Sequence, residues 1–172
     1  MSYFTIRKID AIASTNEALK SQYQQENIRH GEVLWALDQT HGKGQRNSKW
    51  VSQAGKNLTF SIYIDHEFHV FISPFHLNCL IALSIRKLLI QLKIAEISVK
   101  WPNDIMSGDK KICGILIENI FKKSILRASI IGVGLNVNQN HFENLFQASS
   151  MSQISGLLYD LDEVINCFLD QL

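Results

Sequence analysis

Residues 111–138 most restrict the shape this chain can take. "KICGILIENIF" (111–121) and "ILRASIIGVGLNVN" (125–138) are two apolar runs rich in β-branched residues, parted only by a Lys-Lys-Ser bend near residue 123. Such side chains suit a pleated, half-buried surface, and two such runs joined by a short polar bend read as a hairpin. Further strands are predicted at "YFTIRKI" (3–9), "EVLWALDQT" (32–40), "KNLTFSIYI" (56–64) and "ISVKWPNDIM" (97–106), where Pro102 holds Trp101 extended. "SGDK" (107–110) is a turn signal. Helices are predicted over "STNEALKSQY", over Pro74 to Lys93, and over "DLDEVINCFLDQL". Ser14 and Glu17 have capping-box spacing at the first, Pro74 suits the first turn of the second, and Asp160 or Asp162 caps the third. Strands outnumber helices and follow one another in hairpin-like pairs. The prediction is an α+β fold: a mixed, largely antiparallel sheet flanked by helices.

Composition narrows the function classes. The chain has 172 residues, 46% of them hydrophobic, enough for one domain with a sizeable core. Seventeen basic residues against sixteen acidic ones give no general affinity for nucleic acid or anionic membranes. The N-terminus has no continuous apolar core of the kind a signal peptide needs. The longest apolar stretch, "LNCLIALSIRKLLIQLKI", carries Arg86 and Lys87 at its centre and reads as an amphipathic helix rather than a membrane span. Cys79, Cys113 and Cys167 are odd in number, far apart and set among apolar residues, so reduced core thiols in a cytoplasmic protein are expected.

Four segments carry candidate chemistry. The loop "DQTHGKGQRNSKW" (38–50) pairs Gly42 and Gly44, which let backbone approach a ligand, with Lys43 and Arg46. No helix follows it, which rules out a dinucleotide fingerprint, and Gly-Lys-Ser/Thr is missing, which rules out a P-loop; a solvated hairpin loop is the alternative. In "VKWPNDI" (99–105), Lys100 either reaches solvent or faces a pocket that receives a negative group. In "GVGLNVN" (132–138), Gly132 and Gly134 thin a strand so that another segment or a ligand comes close. Asn136 and Asn138 follow on one face, able to read a planar hydrogen-bonding group. In "ASTNE" (13–17), Ser14 is a helix N-cap and also part of a polar nest suited to a carbonyl oxygen.

The joint order says more than any one segment. Ser-Thr-Asn, then Gln-Thr-x-Gly-Lys-Gly-x-Arg ending in Trp50, then Lys-Trp-Pro-Asn-Asp, Gly-Ile-Leu-Ile-Glu and Gly-x-Gly-x-Asn-Val-Asn recur at fitting intervals. This series resembles the catalytic domain of biotin–protein ligases, from about Phe4 to the final helix. The resemblance implies a class II synthetase-like domain over residues 1–172. No N-terminal DNA-binding domain is expected, and the absence of the C-terminal SH3-like barrel that many family members carry is a departure, this chain being either a minimal form or one that lacks that piece. It also implies adenylation of biotin by ATP with Mg²⁺ and transfer to a lysine of a biotin carboxyl carrier protein. Nucleic acid and membrane are not implied as partners; a homodimer is, because the family's sheet commonly pairs across a two-fold. Lipoate ligase-type acyl transfer and a non-catalytic biotin- or adenylate-binding module are the alternatives.

On the same resemblance, Lys100, Lys43 and Arg46 are the catalytic cations. Ser14, Thr15, Asn16, Gln39, Gly42, Lys43, Gly44, Gln45, Lys100, Gly114 and Ile115 would bind biotin. Lys43, Arg46, Trp50, Asn103, Lys111, Asn136 and Asn138 would bind the nucleotide, and no residue is assigned to a metal. The match has departures: Lys43 stands where arginine is usual, and Gln45-Arg46-Asn47-Ser48 stands for the commoner Arg-Arg-Gly-Arg. The glycines imply a loop that is mobile when empty and orders over the adenylate, keeping water from a mixed anhydride.

Overall fold

The hairpin over the central apolar runs forms the middle of a seven-stranded sheet. In the computed structural model, which describes residues 3–67, 73–143 and 145–172, strands β1 (Thr5–Ile12), β2 (Glu32–Gln39), β3 (Leu58–Asp65), β4 (Ile97–Lys100), β5 (Asp104–Ser107), β6 (Lys110–Lys122) and β7 (Ile125–Leu135) lie in the order β1-β2-β3-β7-β6-β5-β4. β6 and β7 pair from Cys113↔Leu135 to Lys122↔Ile125. Lys123 and Ser124 close the hairpin with positive φ, the pair of angles a two-residue turn needs to match the strands' right-handed twist.

Among the described residues four α-helices accompany the sheet: α1 (Thr15–Gln24), α2 (Pro74–Gln91), α3 (Met151–Ser155) and α4 (Leu161–Leu169). Ser14 accepts the Glu17 amide and Asp160 accepts the Glu163 amide, each relieving an orphan donor of its helix's first turn. α1 covers one end of one face, where Leu19 packs with Leu34, Tyr63, Ala128 and Ile130. α2 and α4 cover the other face, packing Ile81, Ile85 and Phe168 against Phe60, Ile62, Ile131 and Val133.

The predicted mixed sheet is the one observed, with three differences. β1 and β2 pair in parallel, because α1 between them carries the chain back across the sheet instead of letting it turn in a hairpin. "ISVKWPNDIM" is two strands, not one: Pro102 has no N–H to give a ladder, and β4 folds back on β5 from Lys100↔Asp104. α3 was not predicted. Its five residues show too little periodicity, yet Ser150 caps it through the Gln153 amide. The three cysteines are unpaired, but Cys167 is exposed on the outer side of α4 and only Cys113 is fully buried. Among the described residues no helix is long and apolar enough to cross a membrane.

α1 leaves part of its face bare. Beyond its N-terminus the register sets Ser61 beside Gly132 and Leu116, and Thr59 beside Gly134 and Gly114. All of these but Leu116 are small, and the lane they make leaves room above the sheet, where the site lies.

Candidate active site

A cavity of about 310 Å³ opens over this lane. Ser14, Thr15 and Asn16 come from the start of α1, Gln39 from the end of β2, and Gly132 and Gly134 from β7. Its inner end is neutral and fully hydrogen-bonded. The Gln39 carbonyl oxygen accepts both the Thr15 amide (2.8 Å) and the Thr15 hydroxyl (3.0 Å). Thr15 Oγ1 lies 2.6 Å from the buried Ser61 hydroxyl, which donates in turn to Asn16 Oδ1. Asn16 Nδ2 donates to Glu118 Oε2 (2.9 Å), and the other Glu118 oxygen holds Lys20 at 3.2 Å. Gly132 is required here: a Cβ would overlap the Asn16 amide.

The Trp50 indole forms the outer wall. It lies against Gly134 and Gly114, which face each other across β7 and β6, and any Cβ on Gly134 would occupy the ring's place. Beyond it is a second cavity of about 190 Å³ lined by Lys49, Lys100, Asn136, Phe142 and Leu145, among others. Trp50, Lys49, Asp104 and Lys111 border both cavities. Lys111 sits 2.6 Å from Asp104 Oδ1 and 5.7 Å from the Trp50 ring centre, so it is the cation held against the shared wall. The Asn136 side chain, buried and donating to the Ser149 carbonyl, has an Oδ1 with no partner among the described residues.

The basic loop is stitched rather than formless. Trp50 N donates to Gly42 O, Gly44 N to Ser48 O, and Lys43 bridges Lys49 in the antiparallel sense. A 3₁₀ turn over Gln45–Asn47 follows, with Arg46 at φ 52. Lys43 reaches α1, where its ammonium lies 2.7 Å from Glu17 Oε1. That contact holds the Glu17 carboxyl below its ordinary range and raises the Lys43 ammonium above its own.

Residues 9–136 match the biotin/lipoate A/B protein ligase family. The chain belongs to that family. It is 30% identical over 167 residues to the bifunctional ligase/repressor BirA of Bacillus subtilis, covering 92% of this chain and 51% of that protein. It is 28% identical over 172 residues to the biotin–[acetyl-CoA-carboxylase] ligase of Mycobacterium tuberculosis, covering 96% of this chain and 63% of that one. The chain thus spans about half to two thirds of the length of these relatives. The structure of the Aquifex aeolicus biotin protein ligase in complex with biotin and ATP superposes with a TM-score of 0.84 at 31% identity, over 97% of this chain and 68% of that one.

Within this family member, the structure gathers most of the expected residues and separates a few. Ser14, Thr15, Asn16, Gln39, Lys43, Gly44, Gln45, Arg46, Trp50, Asn103, Lys111, Gly114 and Ile115 all line the first cavity. Lys100 does not. It is exposed at the end of β4 and borders the second cavity, because the chain reverses immediately after it. Asn136 also borders the second cavity, but Asn138 borders neither. β7 ends at Leu135, so the two asparagines do not share a strand face, and Asn138 clamps Tyr159 by accepting its amide and donating to its carbonyl. Gly42 is buried under Trp50 and serves the loop's ladder. Ser61, Glu118 and Asp104 were missed. Ser61 lies inside an alternating strand with nothing to distinguish it, and Asp104 and Glu118, each the last residue of a quoted motif, take a place at the site only through the pairing of β5 and β6.

Proposed function

We propose that this chain condenses biotin with ATP to biotinyl-AMP and passes the biotinyl group to a lysine of a biotin carboxyl carrier protein. One observation carries the reading: two cavities of different chemistry meet at a single wall, Trp50 with Lys111. The neutral hydroxyl–amide end suits biotin's ureido ring, and the apolar wall suits its bicycle and tail. The lysine-lined second cavity suits a nucleotide, with the unpartnered Asn136 oxygen available to an adenine amine. One relative above is a biotin–[acetyl-CoA-carboxylase] ligase, the other a bifunctional ligase/repressor, and a structure similar to this one holds biotin and ATP.

The chemistry follows from the junction. A biotin carboxylate oxygen attacks the α-phosphorus, and the bond to the bridging oxygen breaks as pyrophosphate leaves. Two unit charges at about 4 Å repel by roughly 4 kcal/mol at an effective dielectric near 20, so cations must offset the approach. Lys111 stands where the two anions meet, Lys100 and Lys49 flank the phosphate side, and Lys43 and Arg46 close the loop side. Donors aimed at the growing charge lower the barrier of such a transfer. The carrier's lysine amine then attacks the acyl carbon, and AMP leaves with the C–O electron pair. No enzyme nucleophile is needed. Cys113, the buried thiol nearest the site, is pushed well above its usual pKa by burial and is not a thiolate.

Mg²⁺ is the ion such a reaction uses, supplied with the triphosphate. Among the described residues no group of three or more His, Cys, Asp or Glu side chains is arranged as a metal site, and Asp104 is engaged by Lys111. The phosphates, not a protein cage, would hold the ion. With its cysteines unpaired, the cytoplasm is the compartment we assign.

Labelled ATP with magnesium tests the reading. Pyrophosphate release that depends on biotin is expected. Release with lipoate in place of biotin overturns the substrate assignment, and biotin binding without release overturns the enzymatic one.

A further inference from the structure

We infer that Glu118 is a positioning residue that acts through Asn16 and Ser61. It fixes the Thr15 hydroxyl as an acceptor toward the cavity, selecting a ligand head that presents an N–H. The inference rests on the biotin reading above and deepens it.

The argument follows the protons inward from the surface. Glu118 is only partly buried, and its two oxygens are divided: Oε1 takes Lys20 at 3.2 Å and Oε2 takes Asn16 Nδ2 at 2.9 Å. A carboxylate only accepts, and the Leu116 carbonyl, a longer 3.4 Å from the same Nδ2, only accepts too, so Asn16 turns its amine outward and its carbonyl inward, with Glu118 as the nearer partner. The Ser61 hydroxyl has one proton, and the Asn16 carbonyl takes it. Thr15 Oγ1 therefore faces two acceptors, Ser61 Oγ at 2.6 Å and Gln39 Oε1 at 3.0 Å. Its own proton points away from the cavity, and only lone pairs remain for the ligand. A ureido N–H finds an acceptor there; a head group that offers an oxygen at the same place meets an oxygen.

Glu118→Gln reverses this wiring at constant shape. A glutamine has one oxygen where glutamate has two, and the Lys20 ammonium claims it. The glutamine amine then faces Asn16, whose amide flips at the loss of its long 3.4 Å contact to the Leu116 carbonyl, presents its own amine to Ser61 and releases the Ser61 proton toward Thr15. Removing the lysine as well frees the glutamine oxygen to return to Asn16, so the double variant Lys20→Met/Glu118→Gln should regain the original direction. A purely structural contact would not be restored by a second deletion.

The test is calorimetric titration of the full chain with biotin and with biotin methylated on the ureido nitrogen, read as the ratio of the two affinities. Steric exclusion of the methyl group is common to all variants, so the ratio isolates the N–H contact. Glu118→Gln should contract the ratio about 3- to 10-fold, the worth of one net hydrogen bond, chiefly through weaker binding of biotin. The double variant should restore most of it. An unchanged ratio in Glu118→Gln, or no recovery in the double variant, overturns the inference while leaving the biotin reading intact. A wild-type chain that binds no biotin overturns that reading, and the inference with it.

Discussion

The two ends of the site are built on opposite terms. At the inner end every side chain already has its partner: Gln39, Thr15, Ser61, Asn16, Glu118 and Lys20 form one unbroken chain. At the outer end, Lys49, Lys100 and Arg46 make no ion pair among the described residues, and the Asn136 oxygen has no partner. Satisfied polar groups in a low-dielectric pocket resist rearrangement and recognise a shape. Cations near solvent, unpaired or, as Lys111 is, held by a single carboxylate, instead wait for charge and are the groups that can stabilise a transition state. The difference teaches a division of labour: the inner end should govern which acid binds, and the outer end how fast it reacts.

Substitution on the two sides should separate that division cleanly. Lys111→Ala carries the largest expected effect, about 10²- to 10³-fold in kcat of biotin-dependent pyrophosphate release, the scale of removing one donor from developing charge. Lys100→Ala should follow in the same direction by a smaller factor, since it borders only the second cavity. Thr15→Val belongs to the other side: KM for biotin should rise about 5- to 10-fold with kcat nearly unchanged, the cost of one net hydrogen bond. A fall in kcat for Thr15→Val as large as that for Lys111→Ala would abolish the distinction.

The same contrast explains what could be read from the sequence. The strands, the helix caps and the cation-bearing loops were visible because each is written locally, in alternation, in Ser14 and Asp160, and in glycines beside basic residues. What escaped depends on pairing between distant segments. Lys100 and Lys111 are separated by ten residues of sequence, and only the β4–β5–β6 reversals decide which of them reaches the junction. Asn136 and Asn138 look equivalent as a motif, yet the end of β7 sends one to the cavity and the other to Tyr159. Ser61 and Glu118 become site residues only through α1, which brings Asn16 between them. Register, not residue type, made those assignments.

Asn138 gives a control outside both ends. Asn138→Ala removes two hydrogen bonds to the Tyr159 backbone and should cost about 1–3 kcal/mol of unfolding free energy. KM for biotin and for ATP should stay within about twofold, because the effect lives in the chain that leads to α4 and not at either cavity. A large shift in KM for ATP would return Asn138 to the nucleotide side and blur the comparison.

The smallest effect concerns the contact that ties the two ends together, Lys43 to Glu17. Glu17 titrates below its ordinary range in the folded chain, so its contribution is present above that range and lost as pH falls through the lowered value. Lys43 titrates above its ordinary value, so its contribution is present at neutral pH and lost only as pH rises through the raised one. The tether is therefore intact across the neutral window and fails at both extremes. Both side chains are about half exposed, so global unfolding should not register it; cleavage of the loop by a protease should. Wild-type cleavage should be flat between about pH 8 and about pH 9, where no side chain of ordinary pKa in the tether or the loop changes charge. Glu17→Gln should raise cleavage in that window. Biotin with ATP should slow cleavage in both proteins, because the incoming anions offer Lys43 another partner. If Glu17→Gln cleaves no faster than wild type, Lys43 is held by the loop's own ladder, and the two ends of the site are not coupled through α1.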